Sequence, residues 1–299
     1  MSPSSDFSSL RTLRDLVRYG VSRFNEAELA YGQSTLSALD EASYLVLHAL
    51  HLPPGQLEPF LDAAVLPHER SAVLDLLHQR VESRLPAPYL THEAWLQGYP
   101  FYVDERVLIP RSFIAELLVN ALQPWVQAPE AVTKVLDLCT GSACLAILAA
   151  ERFPQATIEA VDISPDALEV AYINVDEYGL EERVHLIESD LLAQLPPQQQ
   201  YDFILCNPPY VNSQSMAALP PEFLHEPQLA LAGGDDGMDL IRTILGHAPQ
   251  YLKDQGFIIL EIGHEKPFFE QAFPQLSPHW LSTSGGDEQV LLLFKEQLL

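Results

Sequence analysis

The sequence is poor in cysteine, in basic residues and in long apolar runs. Three cysteines among 299 residues, with no Cys-x-x-Cys pair, exclude a disulfide framework and fit a reducing compartment. No apolar run has the length of a membrane span, and the N-terminus lacks the basic-then-apolar order of a signal peptide. We therefore expect a folded protein of the cytoplasm with no membrane partner, which the 47% hydrophobic content supports.

The shortage of basic residues gives the chain a formal net charge of −25. Residues 1–92 hold 7 Lys/Arg and 11 Asp/Glu, a balance of 7 − 11 = −4, so residues 93–299 carry 9 − 30 = −21. Such a field repels nucleic acid, which proteins bind with basic surface, and it attracts a basic partner. The same composition would also result if the acidic surface served only solubility, or if the protein came from a salty habitat.

Three regions follow one another along the chain. Residues 1–90 are predicted to form a helical domain for substrate recognition, because apolar residues recur three and four positions apart through 7–85. Residues 91–111 are rich in aromatic and β-branched residues and predict a β-hairpin linker. Residues 112–299 are predicted to form the catalytic domain.

The catalytic region alternates apolar strands with amphipathic helices. "KVLDLCT", "TIEAVDI", "VHLIES", "FILCN" and "GFIILEIG" predict strands, and "SPDALEVAYINVDEYG" predicts a helix capped by Ser164. This alternation indicates a parallel α/β sheet covered on both faces. The tail, "HWLSTSGGDEQVLLLFKEQ", predicts a final antiparallel pair. By fold analogy, such an ending resembles the Rossmann-like sheet of class I methyltransferases.

Acidic residues follow three successive strands, at the edge where ligands of such sheets bind. These are Asp137, Asp162, which comes 162 − 137 = 25 residues later, and Asp190. The loop after the first strand contains a single glycine, Gly141, instead of G-x-G-x-x-G, which argues against a dinucleotide. Asp162 can accept hydrogen bonds from the hydroxyls of a ribose, and Asp190 can accept one from an adenine amine, with Leu191 packing on the adenine ring. Together these residues predict a pocket for S-adenosylmethionine.

A second cluster follows the strand "FILC". Asn207, Pro208, Pro209 and Tyr210 leave that strand as an amide, two rigid residues and an aromatic ring. A stiff loop would have the same composition. As a site, the Asn207 and Pro208 carbonyls offer two adjacent acceptors, and Tyr210 offers a flat face. They suit a planar group bearing an NH2.

The motifs "VLDLCTGSACLAI", "AVDISPDAL" and "NPPYV" resemble the HemK-type family of glutamine-amide methyltransferases over nearly the whole chain. "VLIPRSFIAELL", "AYGQST" and "HEPQLALAGGDDG" resemble the branch that modifies ribosomal protein L-three. Two positions depart from the pattern. Ala143 stands where the family usually has glycine, which would add a methyl group near the cofactor. Phe113 stands where the branch usually has proline, and we expect neither departure to remove a chemical group.

The resemblance implies a role for each motif. Cofactor contacts would come from Cys139, Thr140, Gly141, Ser142 and Ala143, with Asp162, Leu191 and Asn207. The substrate glutamine would be held by Asn207, Pro208, Pro209 and Tyr210. The two acceptors would orient the amide nitrogen toward the methyl group, so that neither a strong base nor a metal is needed.

Several alternatives remain open at this stage. Release factors are a second glutamine substrate within the family. An adenine-amine DNA methyltransferase uses a similar Asn/Asp-Pro-Pro-Tyr motif, although the charge of −21 after residue 92 opposes DNA binding. A third possibility is an acidic chaperone of a basic ribosomal protein. The resemblance favours protein L-three, met before or during ribosome assembly.

Overall fold

The computed structural model describes residues 7–299, which divide into two compact units. The smaller unit contains the chain up to Glu93 together with Pro220–His225. The larger unit contains Ala94–Leu219 and Glu226–Leu299. The short segment 220–225 is therefore grouped with the helices near the N-terminus, although it lies after Tyr210 in the sequence.

The smaller unit is helical, as the apolar spacing predicts. Its helices are α1 (Leu13–Glu26), α2 (Ala38–Ala49), α3 (Pro67–Ser83) and the short α4 (Ala87–Thr91). Thr12 caps α1 in a capping box with Asp15, and Ser37 caps α2 through the Asp40 N–H. The apolar faces of α1, α2 and α3 meet in one core cluster. None of the helices within residues 7–299 has the length and apolar content to cross a bilayer.

A buried ion network lies in the smaller unit. Arg80 is 1% exposed, and its Nε donates to Glu41 Oε1 at 2.7 Å. Glu222, which is fully buried, lies 2.7 Å from Arg84 and 4.0 Å from Arg80. Burial raises the pKa of the Glu41 carboxyl, an effect that Arg80 opposes. Two carboxylates and two guanidinium groups thus hold segment 220–225 within this unit.

Arg80→Met should lower the free energy of unfolding by about 3–5 kcal/mol, because it leaves the Glu41 and Glu222 carboxylates with less compensating charge in a buried site. Urea denaturation measures the change. The control is Arg23→Met, whose ion pair with Glu26 has side chains 39% and 67% exposed, and which should cost no more than about 1 kcal/mol. Equal losses in the two variants would contradict the assigned role of the network.

The larger unit begins with a two-stranded hairpin. Its strands are β1 (Ala94–Leu96) and β2 (Tyr99–Phe101). Gln97 and Gly98 connect them with positive φ values of 51° and 83°, as a tight hairpin turn requires. The paired strands thus occupy only part of the predicted 91–111 segment, and residues 91–93 and 102–111 contain no strand.

A seven-stranded sheet forms the centre of the larger unit. Its strands are β3 (Lys134–Leu138), β4 (Thr157–Asp162), β5 (Val184–Glu188), β6 (Tyr201–Cys206), β7 (Leu252–Glu261), β8 (His279–Thr283) and β9 (Gly286–Phe294). The order across the sheet is β5-β4-β3-β6-β7-β9-β8. The first five strands in this order are parallel, and β9 pairs antiparallel with both β7 and β8. The predicted α/β fold with antiparallel final strands is confirmed.

Helices cover both faces of this sheet. They are α5 (Ile114–Val119), α6 (Cys144–Arg152), α7 (Pro165–Glu177), α9 (Asp239–Tyr251) and α10 (Lys266–Ala272), while the short α8 (Ser213–Met216) has no buried residue. One core cluster contains residues of α5, α6 and α7, and the other contains residues of α9 and α10. Successive residues of β3 alternate between them, with Val135 in the first cluster and Leu136 in the second. The sheet is therefore buried on both faces, and its strand ends are where a ligand can reach it.

Candidate active site

A pocket lies in the larger unit beyond the carboxyl ends of β3, β4, β5 and β6, with about 820 Å³ of empty space that includes part open to solvent. β3 has β4 on one side and β6 on the other, so the strand order reverses at this point. The predicted residues that line the pocket are Cys139, Gly141, Asp162, Asp190, Leu191, Asn207 and Pro209. Seven predicted residues, distant in sequence, are thus brought to one cavity.

The loop after β3 bends sharply into α6. Cys139, Gly141 and Ala143 all have positive φ, at 59°, 56° and 63°. A Cβ added to Gly141 would meet no atom within 4 Å, so glycine is favoured there by its backbone conformation and not by packing. Ala143 is fully buried and belongs to a core cluster, so its methyl group packs inside the protein instead of entering the pocket. Ala143 is therefore the member of this loop whose side chain belongs to the core.

Asp137, Thr140 and Ser142 support the loop from behind the pocket wall. Asp137 lies within β3, is 1% exposed, and accepts a hydrogen bond from Thr140 Oγ1 at 2.6 Å. Its second carboxylate oxygen has no hydrogen-bond partner in the described structure. Burial raises the pKa of this carboxyl to about 7. The Ser142 carbonyl accepts from the Asn174 amide at 2.9 Å, which ties the loop to α7.

Asp162, at the end of β4, connects two walls of the pocket. Its Oδ2 accepts the Gly141 N–H at 2.9 Å, and its Oδ1 accepts the Ser164 N–H at 3.0 Å. Each carboxylate oxygen keeps a further lone pair for a ligand. Burial raises the pKa of this carboxyl above its usual value, and backbone hydrogen bonds from Ser164, Gly141 and Ile163 oppose that rise. Asp190 and Leu191 follow β5, with Leu191 at a φ of 50°.

The loop containing Asn207, Pro208, Pro209 and Tyr210 rests on a glycine-rich segment of the same unit. After Tyr210 the backbone pairs with residues 231–233: the Val211 N–H donates to Leu231, and the Gly233 N–H donates to Val211, both at 2.9 Å. A Cβ at Gly233 would lie 2.7 Å from the Tyr210 Cα, which is too close. Pro208 is buried and Tyr210 is partly buried, and neither of these two predicted residues lines the pocket.

Two buried glutamates next to this loop escaped the sequence analysis. Glu226 forms a two-point ion pair with Arg111 at 2.6 and 2.9 Å, and its Oε1 also accepts the Ile109 N–H. Glu261, at the end of β7, accepts from Ser112 Oγ at 2.6 Å and from Tyr210 Oη at 3.3 Å. The sequence signal for each residue is an acid in an apolar context, Glu226 in "HEP" and Glu261 in "FIILEIG". An acid that is buried in such a context rarely lacks a partner.

Further parts of the pocket wall were also not predicted. They are Arg106, Val107, Leu108, Ile163, Ser164, Pro227, Leu229, Ala230 and Leu240. Ile163 and Leu229 are 47% and 59% exposed. Apolar side chains at the opening of a pocket with acidic and amide groups inside suit a ligand with a planar aromatic base and a polar sugar. Residues 7–299 contain no group of three His, Cys, Asp or Glu arranged to hold a metal ion.

The residues present fit S-adenosylmethionine. Asp162 retains acceptor capacity at the strand end where a ribose would lie, and the space at Gly141 is open to the backbone. Leu191, Ile163 and Leu229 line the pocket and would provide apolar surface for an adenine ring. Asn207 lines the same cavity, which brings the second motif to the cofactor pocket.

Comparison with known proteins agrees with this geometry. The family model "Methyltransferase small domain" matches residues 114–235. The crystal structure of the hMettl16 catalytic domain in complex with a 3′UTR hairpin superposes with a TM-score of 0.50 at 14% identity, over 78% of this chain and 84% of that one. This likeness concerns the fold. The fold and the family match agree on a methyltransferase domain.

The whole-length relatives are more specific. The ribosomal protein uL3 glutamine methyltransferase of Bordetella pertussis is 61% identical over 97% of both chains. The protein of the same name from Burkholderia pseudomallei is 56% identical over 96% of both. The chain belongs to the family of ribosomal protein uL3 glutamine methyltransferases, as its resemblance to the L-three branch predicts.

Asp162→Ala should weaken S-adenosylmethionine binding by about 1–3 kcal/mol, because ribose hydroxyls would lose their acceptor. The rate defect should shrink when the cofactor is saturating. Isothermal calorimetry measures the affinity. Asp166→Ala is the control, because Asp166 is an exposed acid of the next helix that does not line the pocket. Unchanged affinity in Asp162→Ala would show that this acid does not bind the cofactor.

Proposed function

We propose that this protein transfers the methyl group of S-adenosylmethionine to the side-chain amide nitrogen of a glutamine in ribosomal protein uL3, the protein L-three of the large subunit. The observation that carries the proposal is that Asn207 and Pro209 line the same pocket as Asp162 and Gly141. Two of the four motif residues therefore line one cavity with the proposed cofactor residues. The name shared by the whole-length relatives supports the substrate.

The chemistry follows from the weakness of an amide as a nucleophile. Its nitrogen lone pair is delocalised into the carbonyl, so the enzyme must orient the group. The Asn207 side-chain carbonyl and the Pro208 backbone carbonyl would each accept one N–H of the glutamine amide, and Tyr210 would pack against its plane. Bound S-adenosylmethionine supplies an electrophilic methyl group on a sulfonium. The proton leaves after transfer, so rate enhancement comes from orientation and fixed dipoles.

The local structure suits this role because the loop is rigid. Two prolines fix two φ angles, and the backbone pairing of Val211 with residues 231–233 holds the loop on its far side. The buried Glu261 carboxylate accepts the Tyr210 hydroxyl. A preorganised loop spends no binding energy on ordering the acceptors during the reaction.

Asn207→Ala should reduce methyl transfer by roughly 10²–10³-fold, because one of the two acceptors at the reacting nitrogen is lost. Cofactor binding should be partly retained, since Asp162 and Gly141 are unaffected. Transfer of labelled methyl groups to purified uL3 measures the rate. Asn120→Ala, at an exposed helix end away from the pocket, is the control. Transfer within threefold of the parent would refute the role of Asn207.

Charge supports uL3 over other methyl acceptors. Residues 93–299 carry a net charge of −21, and a ribosomal protein free of RNA is typically strongly basic. Long-range attraction would therefore speed the encounter. The same charge repels a nucleic-acid substrate, so adenine methylation of DNA is the weaker proposal. The substrate would be free uL3, before or during assembly, because RNA on a finished ribosome covers the basic surface.

Purified uL3 should be methylated faster than a purified release factor when both compete for the enzyme. The rate with uL3 should fall as salt rises from about 0.05 to 0.5 M, because the screening length shortens from more than about 10 Å to roughly 4 Å. Assembled ribosomes should be poorer substrates than free uL3. Identification of the labelled bands gives the result, and preferential labelling of the release factor would reject the substrate while leaving the amide chemistry intact.

A further inference from the structure

Glu261 is a buried carboxylate at the edge of the sheet where the candidate active site lies. It is 2% exposed and ends β7, the strand beside β6. The parallel register pairs Cys206 with Leu260, so the next residue of each strand, Asn207 and Glu261, leaves the sheet at the same level. This register places Glu261 beside the start of the Asn207–Tyr210 loop, and its side chain accepts a hydrogen bond from Tyr210.

Three hydrogen-bond donors converge on this carboxylate. Oε1 accepts the Tyr210 hydroxyl at 3.3 Å, while Oε2 accepts Ser112 Oγ at 2.6 Å and the Phe113 N–H at 2.9 Å. Burial raises the pKa of the Glu261 carboxyl, and these three hydrogen bonds stabilise its ionised form. An ionised carboxylate has lone pairs enough to accept from all three donors.

The Phe113 contact revises the expectation for that position. Proline has no N–H, so phenylalanine contributes a donor to Glu261 that proline could not. The ring of Phe113 also occupies the space where Gly285 would carry a Cβ, which would lie 2.4 Å from the Phe113 Cζ. This departure from the branch pattern therefore adds a hydrogen bond and has a matching glycine opposite it.

The Tyr210 ring is confined on its other side. A Cβ at Gly263, two residues after Glu261, would lie 2.5 Å from the Tyr210 Cε2. The ring thus rests against the backbone of Gly263, where any side chain would displace it, and its hydroxyl is held by Glu261. These two contacts fix both the position and the tilt of the ring.

We propose that Glu261 is a positioning residue, which sets the plane of the Tyr210 ring and joins the Asn207–Tyr210 loop to the segment Ser112–Phe113. The inference rests on the proposed function, because the plane of the Tyr210 ring affects the reaction only if a glutamine amide packs against it. A glutamine amide packed against Tyr210 presents its nitrogen lone pair along the normal to the amide plane. A change in ring tilt therefore changes the direction of attack without affecting cofactor binding.

A double-mutant cycle tests this role. Glu261→Gln and Tyr210→Phe should each lower kcat for uL3 methylation by about tenfold, with the Kd for S-adenosylmethionine within twofold of the parent. If Glu261 acts through the Tyr210 hydroxyl, the double variant should be no more than about threefold slower than the slower single variant. Losses that multiply to about 100-fold, or a loss that appears only in cofactor affinity, would overturn the proposal.

A matched control lies in the same sheet. Glu159 of β4 is a buried glutamate that accepts the hydroxyl of buried Tyr201, and neither residue lines the pocket. Glu159→Gln should lower the melting temperature but leave kcat within twofold of the parent. If Glu159→Gln loses as much kcat as Glu261→Gln does, the role of Glu261 is only structural.

Two further outcomes of these experiments also decide the role of Glu261. If Glu261→Gln does not fold, Tyr210→Phe alone decides, because it removes the same hydrogen bond and leaves Ser112 and Phe113 bonded to the carboxylate; kcat within twofold of the parent then overturns the proposal. The parent enzyme's transfer to uL3 tests the proposed function separately. A parent that methylates another glutamine protein rejects the substrate, while the ratios within the cycle, measured on that protein, still judge Glu261.

Discussion

The parallel pairing of β4, β3, β6 and β7 is the constraint on which the site depends. In a parallel sheet every strand ends at the same edge, so residues far apart in sequence leave the sheet side by side. The reversal of strand order at β3 opens a crevice between the loops after β3 and β6. Asp162, Asn207 and Glu261 each follow from this register, because each lies at a strand end or one residue beyond it.

Much of this arrangement could be predicted from local sequence. Ser164, Pro165 and Gly179 mark the ends of α7, and apolar runs bounded by such signals predict the strands. Because the fold then brings strand ends together, acids and amides that follow strands can be assigned to one pocket without knowledge of contacts. Asp137 shows the limit of that reasoning. It lies inside β3 instead of after it, so its carboxylate faces the buried interior and supports Thr140.

The interactions that sequence could not give are those between distant polar residues. Arg80 and Glu222 are 142 positions apart (222 − 80), and Arg111 and Glu226 are 115 apart. No periodicity or turn signal connects such pairs, because each becomes adjacent only through the tertiary fold. A glutamate within an apolar segment has the same local sequence whether it is exposed at a strand end or buried with donors. The structure distinguishes these cases by burial and by the donors that converge on the carboxylate.

The acidic residues of this chain have two electrostatic roles. Some are buried and paired inside the protein, and the others are exposed and act at long range. Basic residues are scarce, and Arg80, Arg84 and Arg111 are used inside, against Glu41, Glu222 and Glu226. Glu261 is held by neutral donors from Ser112, Phe113 and Tyr210. Because arginines neutralise internal acids, the excess of negative charge resides mainly on exposed acids, where it acts at long range and is screened by salt. The proposed recruitment of a basic partner and the proposed orientation of its amide would thus depend on different residues, so either property could change without the other.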